Sequence, residues 1–240
     1  MKVLAIDTSS IVATCAVMDD DKLIGEYILN HKKTHSQKIM PIIKEILSSC
    51  ELTTEDIDVF GVAKGPGSFT GLRIGAATIK GLAHATDKPV VGISTLEALA
   101  FNIPFSDGII VPMMDARRER VYTGIYKWQD GDLCVIQEPI AIEVEELMNI
   151  LLDRNEKVIV NGDGAIVYKD IISEKLGSRV LFAPKSVNLA RAASVAELTM
   201  ARAKEGKTES YMEMVPDYLR KSQAQREYDE KMQCSGKVHE

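Results

Sequence analysis

The chain has 240 residues, of which 45% are hydrophobic and 27% charged, and carries a formal charge of −6. That length holds one large core or two modest ones; the composition excludes a disordered chain, and no apolar run is long enough for a bilayer. The acidic balance argues against a free-standing nucleic-acid binder, since affinity for phosphate backbones comes from clustered Lys and Arg, and "RRER" at 117–120 is too short to reverse it.

"MKVLAIDTSS" lacks the apolar core and cleavage site of a signal peptide, so a cytoplasmic protein is expected. "KVLAIDTS", "VATCAVMD" and "KLIGEYIL" read as three antiparallel strands joined by tight polar turns. In "SQKIMPIIKEILSSC" the residues Ile39, Ile42, Ile43, Ile46, Leu47 and Cys50 recur at helical spacing. Ser36 suits the cap, and Pro41 implies a kink or a start near Met40. "DIDVFGVAKG" (strand), "TGLRIGAATIKGLAHAT" (helix), "KPVVGIS" (strand) and "STLEALAFNI" (helix) follow. The order β-β-β-α-β-α-β-α is that of a ribonuclease H-like half of an actin-like ATPase fold. After "IPFSDG" the pattern begins again: strands in "GIIVPMMDARRERVYTGIYKW" and "LCVIQEPIAI", then "VEELMNILLDR", "KVIVNGD", "AIVYKDIISEKL" and a last helix in "SVAELTMARAKEG". The expected fold is therefore α/β with two ribonuclease H-like lobes, residues 1–103 and 104–220, followed by a polar tail at 221–240.

Cys15, Cys50, Cys134 and Cys234 lie far apart without a C-x-x-C pair, so buried, reduced thiols are expected. His31 and His35 have i, i+4 spacing but sit beside two lysines with no acidic third ligand nearby in sequence, and read as solvated. "GPGSFTGLRIG" (65–75) lacks the lysine and hydroxyl of a P-loop and the spacing of a dinucleotide fingerprint, so it reads as a steric device before a helix. On that helix Leu72, Ala76, Ile79 and Ala83 suit its own sheet. Gly71, Gly75, Thr78 and Leu82 make a smooth side that another helix could approach; burial of the whole helix inside its own domain is the alternative. Asp7, Thr8 and Ser9 are weak candidates for a phosphate turn, without the glycine that usually lets backbone approach phosphate. "NGDG" at 161–164 is first of all a turn.

"MKVLAIDTSS", "THSQKIMPIIKEIL", "AKGPGSFTGLRIGAATIKGLA", "PVVGISTLEALA", "DARRERVY" and "PDYLR" together resemble the TsaB family of bacterial threonylcarbamoyladenosine biosynthesis proteins, from Met1 to about Arg220. The resemblance implies a non-catalytic scaffold subunit of the complex that places threonylcarbamoyl on the adenosine beside the anticodon of tRNAs reading codons that begin with A. It implies a TsaD-like catalytic paralogue and a TsaE-like small ATPase as partners, tRNA held only through the complex, and a homodimer when alone. ATP or ADP and metal are expected only in the assembled complex. The catalytic relative carries two metal-binding histidines at i and i+4; here Thr95 and Leu99 occupy those positions, so no catalytic or metal residue is expected. Docking is expected through Ile39, Ile42, Ile43 and Ile46 of one helix and Gly71, Gly75, Thr78 and Leu82 of the next. A self-sufficient actin-like ATPase or sugar kinase is the competing reading. A metallopeptidase fails for want of H-E-x-x-H.

Overall fold

The computed structural model describes residues 1–30 and 35–220. His31 and the tail 221–240 lie outside them, so the expectations placed there are not addressed. The strands β1 (Val3–Asp7), β2 (Val12–Met18) and β3 (Leu23–Asn30) pair antiparallel in sequence order. After α1 (His35–Ser49), the parallel strands β4 (Val59–Gly65) and β5 (Val90–Ser94) follow, separated by α2 (Phe69–Thr86); α3 (Thr95–Phe101) leaves β5 directly. The sheet order is β3-β2-β1-β4-β5.

The second half repeats this plan. β6 (Ile109–Asp115), β7 (Arg120–Gln129) and β8 (Asp132–Glu143) form the meander, then α4 (Val144–Leu152), β9 (Val158–Asn161), α5 (Asp163–Val167), α6 (Lys169–Leu176), β10 (Val180–Phe182) and α7 (Ala192–Lys204) complete it. Its order, β10-β9-β6-β7-β8, is the first order carried over strand for strand, with the same parallel and antiparallel pairings. β1 and β2 are buried along their whole length. Both faces of the sheet are covered, which is why their sequences are continuous apolar runs rather than alternations.

The last helix of each repeat crosses to the other half. α3 puts Leu96, Leu99 and Ala100 against Ile110, Met114 and Tyr126 of β6 and β7. α7 lays Val195, Ala196 and Met200 on Val3, Ala5 and Val91 of the first sheet. Its Thr199 stands so close to β4 that a Cβ on Gly61 would lie 2.3 Å from the Thr199 hydroxyl oxygen. The span 104–220 is therefore not a self-contained lobe: α7 follows the second sheet in sequence but belongs to the core of the first.

Two local expectations need correction, and one strand, β10, was not anticipated. α1 begins at His35 and runs through Pro41 instead of starting near Met40; the common buried face of Ile39, Ile42, Ile43 and Ile46 outweighs the roughly 3 kcal/mol that an interior proline costs. "AIVYKDIISEKL" is two helices broken at Tyr168, whose φ of −104° and ψ of 22° leave the helical region. The short β10 carries no alternation by which to read it.

Candidate functional site between the lobes

The glycine-rich turn closes on the turn between β1 and β2. The Ser68 amide donates to the Ser9 carbonyl at 2.6 Å, and the Thr8 hydroxyl donates to the Gly71 carbonyl at 2.8 Å. A Cβ on Gly67 would stand 2.4 Å from the Ser9 carbonyl oxygen, one on Gly71 2.0 Å from the Thr8 carbonyl oxygen, and one on Gly75 2.5 Å from Thr8 Oγ1. No side chain fits at such distances, so these glycines let α2 lie directly on the first turn of the lobe. Ser68 caps the helix by accepting the Gly71 amide at 3.3 Å.

This geometry corrects the expected docking face. Gly71 and Gly75 look into their own lobe, and Ile39, Ile42, Ile43 and Ile46 are core residues packed with Leu4, Ile6 and Phe60. Thr78 and Leu82 remain half-buried. The outward strip of α2 is Arg73, Ala77, Gly81, His84 and Ala85, with Ile74 and Thr78 beside it, and Gly81 faces open space. Lys80 turns away from this strip, its ammonium donating to the Met214 carbonyl at 2.9 Å.

The candidate phosphate turn is also committed internally. Asp7, Thr8 and Ser9 are all buried, and Asp7 Oδ1 accepts the Ser9 amide at 2.7 Å. Beyond them a cleft of about 550 Å³ opens between the lobes, walled by Ser9, Ser10 and the start of α2 on one side and by Asp115, Arg117, Tyr122 and Asp163 on the other. "NGDG" supplies one of these: Gly162 takes a φ of 94° and a Cβ there would lie 2.2 Å from the Met113 carbonyl oxygen, so only glycine can turn the chain into Asp163. The Asp115 amide donates to Asp163 Oδ1 at 3.0 Å. Burial pushes the Asp163 carboxyl above the usual range against the hydrogen bonds it accepts, and the Asp115 charge adds to the rise. Asp115 Oδ1 accepts from the Tyr168 phenol at 3.1 Å and from the Arg117 amide at 2.9 Å. Burial, with the Asp115 charge, pushes the Tyr168 phenol up to about 12.

Asp115, Arg117 and Tyr122 were legible only as part of a family motif. Their placement depends on a turn in which Arg117, Arg118 and Glu119 all have positive φ, 61°, 54° and 57°, a conformation that residue type does not announce. The Asx-type bond from Asp115 to the Arg117 amide is the local signal that could have marked it. "PDYLR" straps this rim. The Asp217 amide donates to the Lys64 carbonyl at 2.7 Å, Tyr218 stacks on Phe69 at 4.2 Å between ring centroids, and Arg220 donates to the Ala116 carbonyl of the second lobe at 2.9 Å.

Thr95, the first residue of α3, and Leu99, one turn on, are both buried. With Ser10, Met114 and Asp163 they surround a space of about 10 Å³, at the lower limit of what holds one water. A hydroxyl and an isobutyl group supply no imidazole, so these residues do not fit a transition metal. Among the described residues no three His, Cys, Asp or Glu side chains gather as a metal set, and no helix is long and apolar enough to cross a membrane.

Two copies of a β-β-β-α-β-α-β-α unit, with a cleft between them at the ends of the parallel strands, define an actin-like ATPase fold made of two ribonuclease H-like lobes. YeaZ from Pseudomonas aeruginosa shares this fold with a TM-score of 0.77 and 23% identity, over 91% of this chain and 99% of that one. The family model described as "TsaD: tRNA N6-adenosine threonylcarbamoyltransferase" matches residues 22–228. The tRNA threonylcarbamoyladenosine biosynthesis protein TsaB of Bacillus subtilis strain 168 is 35% identical over 230 residues, covering 96% of this chain and 99% of that protein. The protein of the same name from Escherichia coli K12 is 28% identical, covering 93% and 96%. The chain belongs to the TsaB family of tRNA threonylcarbamoyladenosine biosynthesis proteins.

Proposed function

We propose that this protein serves tRNA threonylcarbamoyladenosine synthesis as a non-catalytic subunit. It docks on a TsaD-like paralogue that performs the transfer to the adenosine beside the anticodon of tRNAs reading codons that begin with A. The observation that carries the reading is the closed, buried packing at Thr95 and Leu99, the positions that the family resemblance aligns with the catalytic relative's histidine pair. Docking uses the outward strip of α2, from Arg73 through Ala77 and Gly81 to Ala85. Small side chains there let a partner helix come close. A TsaE-like small ATPase, tRNA and nucleotide join through the assembled complex, and the same strip closes a homodimer when the paralogue is absent. The test is a tRNA modification assay with purified components, each omitted in turn. Loss of product on omitting either this chain or the paralogue is expected, and product formed by this chain alone overturns the reading.

A second reading, an actin-like protein that binds nucleotide by itself, is favoured by the cleft of about 550 Å³ and by Ser9 Oγ, which is buried at its wall without a hydrogen-bond partner among the described residues. Against it stands the use of Thr8 and the Ser9 carbonyl by the glycine-rich turn. Titration with ATP and ADP separates the two: saturable binding below about 0.1 mM by the isolated chain would favour the second.

A further inference from the structure

A second cavity, of about 390 Å³, lies where the carboxyl ends of β4 and β5 face β7 and β8. That volume is at the small end of the range for small-molecule sites, roughly 300–1,000 Å³. Lys64 enters it from β4. Its aliphatic stem lies over Gly92, where a Cβ would stand 2.7 Å from Lys64 Cδ, so the missing side chain of Gly92 is what lays this lysine along the cavity wall. Among the described residues the Lys64 ammonium has neither an ion pair nor a hydrogen bond, and the residue as a whole is partly covered, its stem packed over Gly92. A lysine held by its stem along a cavity wall, with its ammonium unpaired, leaves that charge available to a ligand anion.

None of the neighbouring carboxylates forms an ion pair with it among the described residues: Glu209, beside the lysine stem at Gly92, accepts the Gly92 amide through Oε1 at 3.2 Å. Glu97 is engaged by Arg202, whose NH2 donates to both carboxylate oxygens at 2.8 and 2.6 Å, and NH1 of the same arginine donates to the Gly92 carbonyl at 3.1 Å. Glu138 and Asp217, both exposed, line the cavity but pair with no cation within the described residues. Tyr126, 1% exposed, also lines it. Burial, with the Glu97 and Glu138 charges, keeps its phenol protonated as a donor. Val135 and Leu219 add apolar surface.

A lining with an unpaired ammonium, a phenol donor and two unpaired carboxylates suits a ligand carrying both signs of charge. A simple anion would meet Glu138 and Asp217, and a simple cation would meet Lys64. We propose that this cavity binds a small zwitterion of the α-amino-acid class, its carboxylate on Lys64 and Tyr126, its ammonium toward Glu138 and Asp217, and its side chain against Val135 and Leu219.

The experiment is a ligand-observed NMR and calorimetric titration of the full chain with each standard amino acid, alongside the matching des-amino carboxylates and decarboxylated amines. At least one amino acid should bind saturably with one site per chain and a dissociation constant of about 1 mM or below, and better than either of its two half-ligands. Lys64→Met, which keeps the stem over Gly92, should weaken it about tenfold or more at unchanged melting temperature, and Lys64→Arg should restore part of the loss. Glu138→Gln should weaken the amino acid but not the des-amino acid. Failure of every amino acid to saturate at about 10 mM, or equal binding by Lys64→Met, or a des-amino acid that binds as well as its parent, overturns the assignment. None of these readouts involves the paralogue, so the result is independent of the docking reading.

Discussion

Thr8 and Gly71 are locked face to face: the threonine hydroxyl donates to the Gly71 carbonyl at 2.8 Å while its own carbonyl oxygen lies 2.0 Å from where a Gly71 Cβ would be. One turn further along α2, Gly75 has the Thr8 hydroxyl oxygen 2.5 Å from its Cβ direction. Both glycines thus belong to the interior, and Gly75→Leu should overpack it, at a cost of about 1–3 kcal/mol or more. The gain in helix propensity, about 1 kcal/mol, offsets only part of this. Thermal melts should show Tm lowered by several degrees, a size expected for a chain of this length. An unchanged Tm would contradict the contact between Thr8 and α2.

The complementary substitution lies on the outward strip. Gly81 has no atom within 4 Å of its Cβ direction, so Gly81→Leu removes a helix-interior glycine without a clash and should raise stability by up to about 1 kcal/mol. The same leucine stands where an approaching helix would pack. Affinity for the paralogue, read by calorimetry, should fall by about tenfold or more while Tm holds or rises. Unaltered affinity would move the docking surface elsewhere on the molecule.

The crossing of α7 makes a further test. A fragment of residues 1–103 keeps all five strands of the first sheet but exposes Val3, Ala5, Val91 and Ile93, which α7 covers with Val195, Ala196 and Met200. It also loses the ion pair of Arg191 with Glu26 and the Ala193 amide bond to Glu26 at 3.0 Å. At about 1.5–3 kcal/mol for each large side chain uncovered, the loss is comparable with the whole stability of a domain, about 5–15 kcal/mol. The fragment should therefore lack a cooperative melt by circular dichroism. A sharp transition would show that the first sheet holds without its second-half helix.

What the chain reveals in one dimension is period and punctuation. The two meanders and the strand–helix alternation were legible because buried strands here are short apolar runs bounded by turns. The face of α2 was not, because both of its sides carry small residues. A wheel cannot tell a glycine that admits the Thr8 carbonyl from one that faces solvent, as Gly81 does. The crossing of α3 and α7 has no local signature either, since Val195 and Met200 would look the same against either sheet. The cavity at Lys64 depends on residues from β4, β5, β7, β8 and α7 that only the closed fold brings together.

Asp163 links the cleft to pH. Its pKa is raised by burial, with the Asp115 charge acting in the same direction, so the folded state binds its proton more readily than the unfolded one. By linkage this group lowers stability as pH rises from the ordinary aspartate value of about 4 through the higher folded pKa. Asp163→Asn keeps an oxygen for the Asp115 amide and removes the charge. The variant should be more stable than the parent near neutrality, with the difference shrinking as pH falls toward about 4. Paired melts across that window measure it. A difference that grows on acidification would mean that the carboxylate is favoured in the fold and that the backbone hydrogen bonds it accepts outweigh burial.

The absent histidines give the last test. Thr95 and Leu99 close the space beside Asp163 to about 10 Å³; leucine has no donor atom, and a neutral threonine hydroxyl is a poor substitute for imidazole on zinc or iron. The purified chain should therefore carry no stoichiometric transition metal by elemental analysis, and chelators should leave its Tm unchanged. Thr95→His with Leu99→His supplies two ligands at i and i+4 near the Asp163 carboxylate, and added zinc should then raise Tm in a concentration-dependent way, by mass action on the folded state. If the chain is the non-catalytic subunit proposed above, that variant should still form no modified tRNA without the paralogue. About one metal per chain in the unaltered protein would overturn the reading of Thr95 and Leu99 as a closed, metal-free position.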